Sequence, residues 1–270
     1  MIHGRMKNLA VVTACFVVGV FVCQHFLQTR RDTWKSIFDE RLRPDTTDCL
    51  RLFDQPQADE DFYSATYLEQ RRQFDATLRR VYEAEVDKGS KRAHIGGNSG
   101  GAKHQSRLYY WLAGRPWVNT ICETGFNAGH STLQWLTGND HAKVYSFDIG
   151  THYYTRPMAA YLNRTFPGRF HLTIGDSLET VPRFAATRRD VKCDVIVVDG
   201  GHSHDVALGD LRNFRDFANV ERNVLVVDDK DNAGVKPAWR ETRTAGHAVE
   251  RFACNDGSRR SRAYAVGYYV

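Results

Sequence analysis

A chain of 270 residues has room for one domain with appendages, and its 42% apolar and 12% aromatic content provides a core and excludes a disordered chain. Lys and Arg number 37 against 32 Asp and Glu, a formal charge of +5 that is too mild and scattered to argue for a nucleic-acid partner. The six cysteines contain no CxxC spacing. Cys122 and Cys193 lie in or beside apolar runs, and only Cys49 and Cys254 look free to pair, so no disulfide framework is indicated.

Residues 9–23 read LAVVTACFVVGVFVC without a charge, with Arg5 and Lys7 before them and Arg30, Arg31 and Lys35 after. No small-x-small cleavage site follows. The expectation is an uncleaved signal-anchor over residues 1–28, a single transmembrane helix that makes the membrane a partner and gives a single-pass membrane localisation, in the endoplasmic reticulum or Golgi. Positive charge is nearly balanced across the span and leaves its orientation open. Residues 29–60 are polar, contain Pro44 and Pro56, and read as a stem. Within residues 61–117, Phe74, Leu78, Val81 and Tyr82 recur on one face of an amphipathic helix. The run GGNSGG at 96–101 lacks the Gly-Lys-Ser/Thr of a phosphate cradle and reads as a flexible loop or active-site lid, which makes 61–117 a helical lid or substrate segment.

From residue 118 strands and helices alternate. Strands are expected at 118–123, 144–148, 170–174, 195–198 and 224–227. Between them lie helices carrying Leu133 and Leu136, then Tyr154, Met158, Tyr161 and Leu162, and later Ala207, Leu211, Phe214 and Ala218. Short apolar runs separated by helices mean a parallel sheet buried on both faces. Two further strands, 248–252 and 263–270, leave no room for a helix between them and must pair as an antiparallel hairpin. The fold class is therefore α/β: a Rossmann-like, doubly wound, seven-stranded sheet over 118–270, mostly parallel with a C-terminal antiparallel hairpin strand, preceded by the N-terminal transmembrane helix.

Ligands of such sheets bind beyond the carboxyl ends of the strands. The first strand ends in Glu123-Thr124-Gly125-Phe126-Asn127-Ala128-Gly129-His130. Its glycines permit a tight turn and close approach, and the helix that follows offers free N–H groups to a carboxylate. A dinucleotide would need GxGxxG, which is absent, and this weighs against a nicotinamide-dependent oxidoreductase.

An acid followed by spaced glycines resembles motif I of the class I S-adenosylmethionine-dependent methyltransferases, with Asn127 at the middle glycine; asparagine is the side chain that best tolerates left-handed backbone. The resemblance implies S-adenosyl-L-methionine as cofactor, held by Glu123, Gly125, Asn127 and Gly129. It implies ribose contact at Asp148 and adenine contact at Asp176 and Ser177. The fourth and fifth strands deliver Asp199-Gly200-Gly201-His202-Ser203-His204 and Asp228-Asp229-Lys230-Asp231-Asn232. Converging carboxylates are costly unless a cation neutralises them, and a hard divalent ion such as magnesium prefers oxygen ligands of this kind. These strand ends resemble the metal-dependent catechol-type and sugar O-methyltransferases, which implies metal ligands Asp199, Asp228 and Asp229, although Asp231-Asn232 leaves the register open by one turn. A lysine base three residues beyond the first metal Asp in the catechol type corresponds here to His202. The expected activity is metal-assisted O-methylation of a small-molecule or glycan hydroxyl. The alternative is a non-catalytic, membrane-tethered binding module with the same fold.

Overall fold

Short, largely apolar runs of four to six residues, bounded by turns, form the five parallel strands of the sheet. Every side chain of β4 (Val195–Val198) and β5 (Val224–Val227) is buried. The computed structural model describes residues 58–89, 95–97, 99, 102–255 and 263–270. Three helices precede the sheet: α1 (Asp59–Phe62), α2 (Ala65–Asp87) and α3 (Lys103–Ala113). β1 (Thr120–Thr124), α4 (His130–Gly138), β2 (Lys143–Asp148), α5 (Thr155–Thr165), β3 (Phe170–Ile174), α6 (Ser177–Thr187), β4, α7 (His204–Arg215), β5, α8 (Val235–Thr244), β6 (Ala248–Asn255) and β7 (Ala263–Tyr269) follow. The strand order is β3-β2-β1-β4-β5-β7-β6, with β7 antiparallel to both of its neighbours. The expected seven-stranded sheet with its C-terminal hairpin is thus present.

Side chains alternate between the two faces. Cys122, Tyr145, Phe147, Ile196, Val198, Leu225 and Val227 join Leu211 and Phe214 of α7 and Trp239 of α8 in one apolar cluster. Against the other helices, α4 packs on β2, α2 and α3, and α5 on β3 and α2. On α2 the expected face is used in part: Tyr67, Phe74 and Leu78 are buried, whereas Val81 and Tyr82 are half-buried. β1 starts two residues later than expected, because the Asp194 carboxylate takes the N–H groups of Asn119 and Thr120 at 2.8 and 3.0 Å. Two helices had no sequence expectation. Pro182 lies inside α6, and α8 buries only Val235, Ala238, Trp239 and Thr242 of ten residues rich in charge.

Two expectations are corrected. Among the described residues no helix is long and apolar enough to cross a membrane. The longest, α2, has 23 residues but carries Glu69, Arg71, Arg72, Asp75, Arg79 and Arg80, so it buries one stripe against the domain instead. The transmembrane helix of the expected fold class fell on residues 1–28, which with the stem and the rest of 1–57 lie outside the described residues. The membrane partner and the single-pass membrane localisation that rested on it are withdrawn. The second correction concerns the cysteines. Cys122 of β1 and Cys193, just before β4, form a fully buried disulfide across 71 residues of sequence, with Cα atoms 5.9 Å apart. Apolar surroundings conceal the pair in the sequence; the adjacency of β1 and β4 creates it.

Candidate active site

β1 delivers the chain into a turn that no side chain could follow at two positions. Gly125 has φ 87°, and a Cβ there would stand 1.8 Å from the backbone oxygen of Asp199. Gly129 has φ 92° and caps α4, where a Cβ would meet the Phe126 ring at 2.7 Å. Gly125 therefore lets the β1 and β4 loops cross, and Gly129 lets the chain pack against Phe126 and Leu162. Glu123 does not line the cavity beyond the turn. Its buried carboxylate accepts hydrogen bonds from the hydroxyls of Thr132 and Ser146 and from Nε1 of Trp135 at 3.0 Å, which ties β1 to α4 and β2. Burial raises its pKa, and those donors hold it down in part.

The other cofactor candidates, apart from Gly129, converge. A cavity of about 590 Å³ at the strand ends is lined by Gly125, Asn127, Asp148, Asp176 and Ser177. Asp148, at the end of β2, accepts N–H groups from Asn127 at 2.8 Å and from Gly150 at 2.7 Å, and keeps further lone pairs for a ligand. Asp176 caps α6, accepting from the Leu178 N–H at 2.9 Å. Beneath this corner lies Asp210 of α7, fully buried. Burial pushes its pKa up to about 6, only partly offset by the hydroxyls of Ser177 and Thr124. Gly200 above it has room for no side chain, since a Cβ would stand 2.8 Å from Asp210 Oδ2.

The same cavity is lined by Asp199, His202, Asp228 and Asp229. One ligand atom each from Asp199, His202 and Asp229 lie within 4.8 Å of one another, and His202 Nε2 is 3.0 Å from Asp229 Oδ2. Asp228 faces differently. Its Oδ1 accepts the Asp229 N–H at 2.9 Å, and the Gln105 side chain hydrogen-bonds its carboxylate. Burial, then repulsion from Asp228 and Asp229, drives the pKa of Asp199 well up; burial and Asp229 raise that of Asp228. The hydrogen bond to Asp229 raises that of His202. Asp231 is turned to Lys230, 3.0 Å away, and Asn232 accepts the Gly234 N–H, so neither lines the cavity. His204 pairs with Asp205 and Glu241 outside it.

Several lining residues had no sequence signal. Gln105 reaches the acids from α3, its Nε2 donating to the Tyr109 hydroxyl at 2.9 Å. His130, the first residue of α4, is buried edge-on against Phe74 of α2, and burial followed by the nearby Arg71 pushes its pKa down to about 4, so it is neutral at physiological pH. Gly96, Gly97 and Ser99, from the segment read as a loop or lid, also line the cavity. Gln105 comes from the helical segment that carries no motif, whereas His130 closes the glycine-bearing run after β1 and Gly96, Gly97 and Ser99 belong to the run read as a loop or lid.

Residues 122–230 match the family model described as a methyltransferase domain. Among solved structures, the O-methyltransferase from Bacillus cereus in complex with SAH superposes with TM-score 0.55 at 13% identity, covering 72% of this chain and 91% of its own. The cofactor-bound Rv0187 from MTB gives TM-score 0.55 at 18% identity, with 73% and 89% covered. The O-methyltransferase TomG from Streptomyces achromogenes, in complex with SAM, gives 0.54 at 15%, with 72% and 89% covered. No curated protein matches the sequence. At such identities the structural likeness is one of fold. The chain therefore has the fold of the class I S-adenosylmethionine-dependent methyltransferases, with a segment at 122–230 that matches a methyltransferase-domain model.

Proposed function

We propose that this protein is an S-adenosylmethionine-dependent O-methyltransferase acting on a hydroxyl of a small molecule or glycan. One observation carries the proposal: the cofactor residues and the acid–imidazole group line one and the same cavity. Asp148 would hold the ribose hydroxyls, Asp176 and Ser177 the adenine edge, and the N terminus of α4 the carboxylate of the amino-acid end. Gly125 and Gly129 would let the backbone approach, and Glu123 would fix the frame from behind. The matched methyltransferase model and the likeness to structures holding SAM or SAH support this reading. Residues 61–117 would form the acceptor side of the domain that begins at 118, with Gln105 reaching from one to the other.

The donor set fits a divalent cation. Two carboxylates and an imidazole converge within 4.8 Å, and burial, then repulsion among the acids, raises the pKa values of Asp199 and Asp228, a cost that a bound cation would offset. Asp199 and Asp229 would hold magnesium, together with Asp228 once its carboxylate turned from its present bonds to the Asp229 N–H and Gln105. When bound, the ion would lower the pKa of the acceptor hydroxyl. His202, paired with Asp229, would take the proton as the acceptor oxygen bonds to the methyl carbon, the carbon–sulfur bond breaking with its electron pair left on sulfur.

The test is calorimetry of the full chain with S-adenosylhomocysteine, with and without magnesium and a chelator. Binding that persists within about twofold under chelation, with magnesium adding its own heat, is the expected outcome, since the ion would touch the acceptor and not the cofactor. No binding of S-adenosylhomocysteine would overturn the function. Binding without any magnesium heat would remove the ion alone.

A further inference from the structure

Asn127 does more than turn the chain. It lies at φ 54°, a left-handed conformation that glycine adopts freely and every other residue adopts at a cost. The motif resembled here carries glycine at this position, so the side chain must supply something a glycine would lack. Its Nδ2 donates to the backbone oxygens of both Gly96 and Gly97, each at 3.0 Å. Carbonyl oxygens only accept, so this contact fixes the amide with Nδ2 toward residues 96–97 and Oδ1 away from them. Oδ1 is buried and has no hydrogen-bond partner among the described residues. The backbone of Asn127 is held just as firmly: its N–H donates to Asp148 Oδ2 at 2.8 Å, and its carbonyl accepts from the Thr155 hydroxyl at 2.8 Å. A second tie comes from Tyr154, a fully buried side chain at the cap of α5, whose hydroxyl accepts the Gly96 N–H at 3.3 Å. A Cβ on Gly97 would stand 3.6 Å from the Asn127 amide nitrogen, so the two segments already touch.

We propose that Asn127 is a positioning residue that latches residues 96–97 onto the cofactor site, so that occupancy at Asp148 and order of the N-terminal helical segment are coupled. The proposal rests on the reading of Asp148 as the ribose acceptor. A ligand on Asp148 restrains the amide that Asp148 holds, and the same residue carries that restraint through its side chain to Gly96 and Gly97, which wall the cavity. Coupling is reciprocal: whatever orders residues 96–97 must tighten cofactor binding by the same factor. The buried, unpartnered Oδ1 adds to this, since it leaves an acceptor that a hydroxyl donor from the ligand side would relieve.

The experiment uses the full chain with S-adenosylhomocysteine as probe, calorimetry for affinity and hydrogen exchange across residues 95–97 as the second readout. In the wild type the probe should slow exchange there about tenfold or more. Asn127→Gly keeps the turn and removes the amide; affinity should fall about tenfold and the slowing should vanish. Asn127→Asp keeps size and left-handed tolerance but cannot donate to carbonyls, and should behave like Asn127→Gly even if the glycine variant proves unstable. Tyr154→Phe should give a smaller loss in both readouts. Wild-type affinity and wild-type slowing in both Asn127 variants would refute the latch while leaving the function standing. A wild-type chain that does not bind the probe refutes the cofactor reading, and the latch falls with it.

Discussion

The two halves of the cavity are built on opposite electrostatic terms. On the β1–β2–β3 side every acid is answered from within: Glu123 by Thr132, Ser146 and Trp135, Asp148 by two backbone N–H groups, Asp176 by the start of α6. On the β4–β5 side Asp199, Asp228 and Asp229 crowd together, and His202 is the one basic side chain that meets them among the cavity residues. Asp229 adds left-handed backbone at φ 47° to the repulsion. The first half is preorganised by neutral dipoles, with acceptors at Asp148 and Asn127 left toward a ligand. The second half brings acids together with His202, the arrangement on which the proposed chemistry rests.

The largest effect that would sharpen this contrast is expected at Gly125. Gly125→Val must displace the Asp199 backbone as well as bear left-handed strain, a loss of about 4 kcal/mol or more in denaturant unfolding. A variant of unchanged stability that merely lost S-adenosylhomocysteine binding would mean that the glycine serves the ligand alone, and that the two halves are less interlocked than the crossing loops imply. Next in size is His202→Ala. Turnover should fall about a hundredfold while magnesium still binds, since proton transfer is the role proposed for this imidazole. Full turnover in this variant, with the ion still required, would move the base elsewhere on the β4–β5 side.

The smallest effect tests the border between the halves. Asp210 binds its proton more tightly in the folded chain than in the unfolded one, with a pKa of about 6 against an ordinary 3.8. The stability it contributes is complete below about pH 4 and lost as pH rises through about 6. Asp210→Asn should therefore stabilise the protein by about 2–3 kcal/mol at pH 8 and by nothing measurable near pH 4, read from urea midpoints. An equal effect at both pH values would show that packing, not the charge, is what the substitution changes.

What the sequence by itself determined is the sheet and the residues at its carboxyl ends. Runs such as 195–198 and 224–227 admit no reading but buried parallel strands, and the residue after each run must then face the crevice. That logic pointed to the strand ends, and the methyltransferase resemblance then picked out Gly125, Asn127, Asp148, Asp176, Ser177, Asp199, His202, Asp228 and Asp229, which line one cavity. Glu123 was assigned to the cavity by the same logic, but strand alternation turns its side chain inward to α4. Helices α6 and α8 went unread although α8 buries Val235, Ala238, Trp239 and Thr242 at i, i+3, i+4 and i+7, a helical spacing that was present in the sequence. Only the tertiary structure decided the rest. It joined Cys122 to Cys193 across neighbouring strands, set Gln105 and His130 beside the site, and brought Gly96 and Gly97 to the amide of Asn127. The physical reason is distance along the chain: periodicity reports which face of an element is buried, but contacts between elements 30 or 71 residues apart are fixed by packing that no local pattern encodes.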